Sequence, residues 1–160
     1  MSIIEKKLYK SLDQKNLFEN NPAIAVAVSG GSDSIALVFL LKNWIKKNKG
    51  KLTALIIDHQ IRESSLKEAI SVKKYLSNNN IQSLILKVSK KNILKGNMIQ
   101  ARENRFIKII NYCRKNNIFH LFVPILKKIV VNNDKSNSPK LSKIRLNSFS
   151  GIIDWVVTAN

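Results

Sequence analysis

The sequence predicts an α/β domain in which a parallel sheet carries helices on both faces. Three observations predict it. Short, almost wholly apolar runs recur along the chain, stretches with apolar residues at helical spacing separate them, and the first run ends in adjacent glycines that lead straight into a helix. Strands that are apolar throughout are buried on both faces, and their alternation with helices implies parallel pairing through right-handed crossovers. At 160 residues, 44% hydrophobic and 24% charged, the chain suits one domain with an ordinary core.

Ile4, Leu8 and Leu12 recur at helical spacing and predict a short N-terminal helix. Pro22 introduces the first strand, Ala23–Val28, and a helix then runs to about Lys47 with Leu37, Leu40, Leu41 and Trp44 on one side. Gly50 breaks that helix, and residues 52–57 form the second strand. Ser65 and Glu68 have capping-box spacing and start a helix carrying Ala69, Val72, Tyr75 and Leu76, which Asn78-Asn79-Asn80 ends. Residues 81–88 form the third strand. Residues 97 to about 116 form a helix with Phe106, Ile109, Ile110 and Cys113 inward, and residues 118–123 form the fourth strand. Beyond Val123 the pattern degrades. Residues 125–131 are apolar around Lys127 and Lys128, 132–143 read as loop or disordered linker, and 151–157 could add a strand. The expected division is residues 1–123 as a folded domain and 124–160 as an atypical tail, with the sheet truncated after about its fourth strand and an apolar edge exposed there.

Formal net charge is +18, from 28 basic and 10 acidic residues. A domain so charged repels itself and concentrates polyanions, of which nucleic acid is the natural one. A codon bias toward Lys, Asn and Ile would raise the same number. The single cysteine, Cys113, excludes an internal disulfide, a CxxC pair and a cysteine-held cluster, and fits a reducing, cytoplasmic setting. It reads as a small packed residue. Residues 1–17 mix Lys6, Lys7, Lys10 and Asp13 with apolar side chains, unlike a signal peptide, and no apolar run is long enough to span a bilayer, so no membrane is expected. Oligomeric state is not legible.

Chemistry concentrates in Ser29-Gly30-Gly31-Ser32-Asp33-Ser34. Two of the chain's five glycines stand here, between a buried strand and a helix. Glycine permits positive φ and close approach of a ligand, and a helix start offers unpaired N–H groups with partial positive charge. Ser29, Ser32 and Ser34 add hydroxyls. Together these would cradle a di- or triphosphate. The loop is not a Walker A motif, because the lysine of that motif is missing. Asp33 takes its place, and a carboxylate beside phosphates calls for a cation between them, so Mg²⁺-ATP is expected. A tight turn with an aspartate cap would use the same residues.

The six-residue segment resembles the signature of the N-type ATP pyrophosphatases, the PP-loop enzymes with an adenine nucleotide alpha hydrolase-like fold. That resemblance implies release of pyrophosphate, transfer of AMP to a substrate oxygen and displacement of AMP by a nucleophile. Two further segments are similar to the tRNA-isoleucine lysidine synthetase family. Asp58-His59-Gln60-Ile61-Arg62-Glu63-Ser64-Ser65, with Glu68-Ala69, resembles D-H-G-L-R-x-x-S-x-x-E-A, with Gln60 and Ile61 in place of Gly and Leu. Ala101-Arg102-Glu103-Asn104-Arg105-Phe106 resembles A-R-x-x-R-[YF]. Arg102 and Arg105 share a helix face and suit a phosphate or developing anion, although a basic solvated face would look alike.

The family resemblance implies ATP-dependent ligation of free lysine to the wobble cytidine of an isoleucine tRNA. It implies Asp33, Arg102 and Arg105 as catalytic, Ser29, Gly30, Gly31, Ser32, Asp33, Ser34 and His59 as ATP-binding, and Asp33 as the Mg²⁺ contact. Ser65 and Glu68 are read as helix caps. In the family the fourth strand leads into H-H-x-x-D-D. Here Val123 is followed by Pro124-Ile125-Leu126-Lys127-Lys128-Ile129, with no histidine or acid before Asp134. A frameshifted or truncated frame, a natural minimal form and one half of a split enzyme would each look like this. Another PP-loop enzyme acting on a small molecule, or a non-catalytic RNA-binding remnant, are the alternative functions.

Overall fold

The computed structural model describes residues 1–13, 18–58, 64–87, 98–123, 144–149 and 153–159, with side chains in 1–13, 18–58, 64–87 and 104–123. The elements are α1 (Ile3–Asp13), β1 (Ala23–Val28), α2 (Ser32–Lys47), β2 (Lys51–Asp58), α3 (Ser64–Asn78), β3 (Gln82–Lys87), α4 (Met98–Lys115), β4 (His120–Val123), β5 (Ile144–Phe149) and β6 (Ile153–Ala159). The first eight coincide, within a few residues at each end, with the elements expected from the apolar runs and helical spacings.

One sheet runs in the order β3-β2-β1-β4-β6-β5. The pairs β1–β2, β2–β3 and β1–β4 are parallel. Side chains of β1 alternate between two cores, as a strand buried on both faces requires. Ile24, Val26 and Val28 pack with Leu8 and Leu12 of α1, Leu37, Leu41 and Trp44 of α2, and Ala69 and Leu76 of α3. Ala25 and Ala27 pack with Leu55, Leu121 and, from α4, Ile109 and Cys113. Two crossovers step one way from β1 to β3 and so share a face, while the return from β3 to β4 puts α4 on the other face, as right-handed connections dictate. The direction reverses between β1 and β4. Ligands bind open α/β sheets at such a switch point, beyond the carboxyl ends of the strands.

Three helices end in the same way. Lys49, Asn80 and Asn117 each have φ 53°. The next residue's N–H reaches back to a helical carbonyl: Gly50 to Ile45 at 3.0 Å, Ile81 to Leu76 at 3.0 Å and Ile118 to Cys113 at 2.9 Å. This left-handed cap satisfies carbonyls the helix end would leave unpaired. The helix break expected at Gly50 therefore sits at Lys49. Glycine is needed at position 50 for another reason, since a Cβ there would collide with the Pro22 carbonyl and the Ile45 side chain.

Two expectations are corrected. Ser65 does not cap α3. It lies inside the helix, and its hydroxyl donates to Asp58 Oδ1 at 2.7 Å, tying α3 to the end of β2. Nor is β4 an exposed edge, for β6 pairs with it antiparallel, from His120↔Thr158 to Val123↔Trp155, and β5 pairs with β6. The parallel sheet stops at its fourth strand, but an antiparallel hairpin extends it. β6 overlaps the strand expected at 151–157, β5 was not expected, and the linker expected at 132–143 lies outside the described residues.

At the amino ends of the strands, buried His120 places Nε2 2.6 Å from Glu19 Oε2. Phe18 lies against the histidine ring at 4.6 Å and against Trp44 at 4.7 Å. Partial burial pushes the Glu19 carboxyl up, but hydrogen bonding with His120 and with backbone N–H groups outweighs it, and the group titrates below its ordinary value. Burial pushes the Cys113 thiol up to about 12, as its packed position requires. Among the described residues no helix is long and apolar enough to cross a membrane.

Candidate nucleotide site

The loop Ser29-Gly30-Gly31 leaves β1 beside the switch point and enters α2 at Ser32. Gly30 has φ +84°, and a Cβ there would lie 3.3 Å from Val72 Cγ2 on α3. The positive φ favours glycine here, and a Cβ would in addition crowd the Val72 methyl, which would have to yield by a few tenths of an ångström. Gly31 is the N-cap of α2 at φ −73° and ψ 158°, which any residue adopts. Of the two glycines, only Gly30 uses the freedom expected of both.

No side-chain hydrogen bond caps α2. The first intrahelical bond is Ile35 N–H to the Gly31 carbonyl at 3.2 Å, so the N–H groups ahead of it remain available to a ligand. An uncapped helix start behind an open glycine turn is an anion site, because N–H donors and the positive end of the helix dipole converge there. Ser29, Gly30, Gly31, Ser32 and Asp33 are exposed. Ser34 is not. It is 2% exposed and donates to the Gly31 carbonyl at 2.8 Å, while Ser29 Oγ lies 3.4 Å from its oxygen. Ser34 thus shapes the loop from beneath, a role that its place in the motif did not distinguish from ligand contact.

Asp33 stands in the first turn of α2, with Ser32 Oγ 3.4 Å from its Oδ1. No group of three metal-ligating side chains occurs among the described residues. A cation here would be shared between Asp33 and the oxygens of a bound phosphate. That fits the donor set of Mg²⁺, which holds few carboxylates and completes its shell with phosphate and water.

At the end of β2, Asp58 is 1% exposed and accepts from Ser65 at the start of α3. His59 and Arg62 lie outside the described residues. Arg102 and Arg105 both lie in the amino-terminal half of α4, at the same pole as the loop but on the opposite face of the sheet. The Arg102 side chain lies outside the described residues, and Arg105 is half-buried. Val72 was missed as a site residue. Its only signal in the sequence was an apolar position one helix away.

A family model described as a PP-loop domain matches residues 1–124. The chain belongs to the PP-loop family. Among curated proteins it is similar to the tRNA(Ile)-lysidine synthase of Orientia tsutsugamushi (strain Boryong), 40% identical over 118 residues that make up 74% of this chain and 27% of that protein. It is also similar to the tRNA(Ile)-lysidine synthase of Wolbachia pipientis wMel, 38% identical over 148 residues, 91% of this chain and 32% of that protein. The chain thus spans about a quarter to a third of the length of these relatives. A match over 91% of the chain cannot fit before Val123, so the similarity continues into the segment where the sequence motifs stop. Among solved structures, the PP-loop fold superposes on the U34-tRNA thiolase NcsA from Methanococcus maripaludis, solved with its [4Fe-4S] cluster. The TM-score is 0.64 at 18% identity, covering 74% of this chain and 43% of that one. This likeness is one of fold.

Proposed function

We propose that the chain is the nucleotide-binding part of a tRNA-modifying ligase of the lysidine synthetase type. The observation that carries the proposal is the Gly30 turn, walled by Val72 and followed by an uncapped helix start that bears Asp33. Similarity to two tRNA(Ile)-lysidine synthases supports the substrate.

In this reading ATP is a substrate. Its phosphates lie on Gly30 and Gly31 and on the first N–H groups of α2, with Ser29 and Ser32 hydroxyls at the rim and Ser34 holding the loop. Asp33 holds Mg²⁺, which neutralises phosphate charge when bound. The C2 oxygen of the wobble cytidine attacks the α-phosphorus, pyrophosphate leaves, and the amine of free lysine then displaces AMP from C2. Arg102 and Arg105 stabilise developing anionic charge, and His59 contributes to ATP binding. Residues 1–123 form the catalytic unit, and the β5–β6 hairpin that follows adds to its sheet beside β4.

The test follows labelled ATP with the full chain. AMP release requiring both isoleucine tRNA and lysine is expected, and Asp33→Asn should lower it at least about a hundredfold, the scale of losing one electrostatic contact to the transition state. AMP release stimulated by an amine without RNA would mark a PP-loop enzyme with a small-molecule substrate. RNA binding with no ATP turnover would mark a non-catalytic RNA-binding chain.

A further inference from the structure

We infer that the pole opposite the nucleotide loop is a second RNA surface, which holds the phosphate backbone of the tRNA and stacks a base on Phe119. The inference rests on the tRNA reading above. Helices α2 and α4 run against the strands, so their carboxyl ends meet the amino ends of β2 and β4 at this pole. Lys46 and Lys47 close α2, Lys49 and Lys51 lie in and after its cap, and Arg114 and Lys115 close α4. All six are exposed, and none makes an ion pair among the described residues. Acids near this pole are engaged, Glu19 by His120, Asp13 by the Trp44 indole N–H at 2.8 Å, and Glu5, beside Lys46 and Lys47, by the Ser2 N–H at 2.6 Å.

Helix dipoles account for cations in the last turns of α2 and α4, but not for Lys49 or Lys51. Lys49 occupies the left-handed cap position that asparagine fills at Asn80 and Asn117. A lysine there adds charge where the backbone disfavours a long side chain. Phe119, 48% exposed, follows Lys115, the last residue of α4, by four positions. Lys47 stands over the Tyr9 ring at 5.3 Å, and an exposed aromatic ring near cations free of carboxylate partners is the arrangement that binds RNA, with phosphates on the cations and a base on the ring. A membrane surface would need a broad apolar face, whereas Asn48, Asn116 and Asn117 are exposed here. Helices α2 and α4 lie on opposite faces of the sheet, so the two clusters flank its end roughly 20 Å apart, a span that a nucleic-acid backbone crosses in several phosphates.

Binding of isoleucine tRNA to the full chain, followed by fluorescence anisotropy over a range of salt, tests this. Lys46→Gln/Lys49→Asn/Lys51→Gln/Lys115→Gln should weaken binding about tenfold or more. It should also lower the slope of log K against log salt by about 3, as expected for four lost phosphate contacts. Lys67→Gln/Lys73→Gln/Lys74→Gln/Lys87→Gln, exposed on α3 and β3, removes equal charge away from these helix ends and should cost less than about threefold with the slope nearly kept. Phe119→Ser should weaken binding about fivefold or more at unchanged slope. Equal losses in the two lysine sets, absence of RNA binding, or binding to anionic vesicles in place of RNA would overturn the surface. Pole-dependent tRNA binding without lysine-dependent AMP release would leave the surface standing and remove the lysidine reading. Normal tRNA binding by the pole variants with AMP release intact would remove the surface alone.

Discussion

At Gly30 the backbone has φ +84°, so Gly30→Ala is strained, and its Cβ would also crowd Val72 Cγ2 at 3.3 Å. A left-handed L-residue costs about 1–2 kcal/mol before any crowding is counted. Denaturant unfolding should show at least that loss. Gly31→Ala, at φ −73°, should stay within about 1 kcal/mol of the parent. The pair of glycines was legible in the sequence. Which of them uses its freedom was not, because that depends on a valine from α3 more than forty positions away. Glu19 gives a second test at this scale. Its pKa is lowered in the fold, so its contribution to stability is present above the unfolded value and is lost as pH falls through the folded one. Unfolding midpoints measured from neutral to acidic pH should therefore fall more steeply for the parent than for Glu19→Gln.

Among the elements, strands β1 to β4 and the four helices were legible because each is either wholly apolar or strongly periodic. β5 was not. Ile144–Phe149 alternates apolar and polar residues and pairs with β6 on one side, so it lacks the continuous apolar run of a strand buried in a parallel sheet. Ser65 was misread for a related reason. Its spacing to Glu68 fits a cap, but the buried Asp58 carboxylate that it satisfies comes from another element. The three left-handed helix ends make the sharpest prediction here. Asn80→Ala should lose about 1 kcal/mol, and Lys49→Gly should gain a similar amount, both read by denaturant unfolding. If Lys49 is kept for its charge, the gain in stability should come with weaker RNA binding.

For the whole molecule, the order β3-β2-β1-β4 and the reversal between β1 and β4 matter most, because they turn a local motif into a site. The sequence revealed the loop, and the topology places it at the switch point with an uncapped helix behind it. Arg102, Arg105 and Asp58 could be located only to the same end of the chain's elements from sequence. The structure separates them, with the arginines on the α4 face and Asp58 buried against Ser65 at the start of α3. Charge was legible as a total of +18, but its gathering at the opposite pole required the helix directions. The central claim is that the Gly30 turn and the start of α2 bind nucleotide phosphates. Calorimetric titration of Mg²⁺-ATP into the full chain and into folded Gly30→Ala and Asp33→Asn variants tests it most directly. The account predicts saturable binding to the parent that pyrophosphate displaces, little or none to Gly30→Ala, and loss of the Mg²⁺ dependence in Asp33→Asn. No binding to the parent, or equal binding to all three, would contradict it.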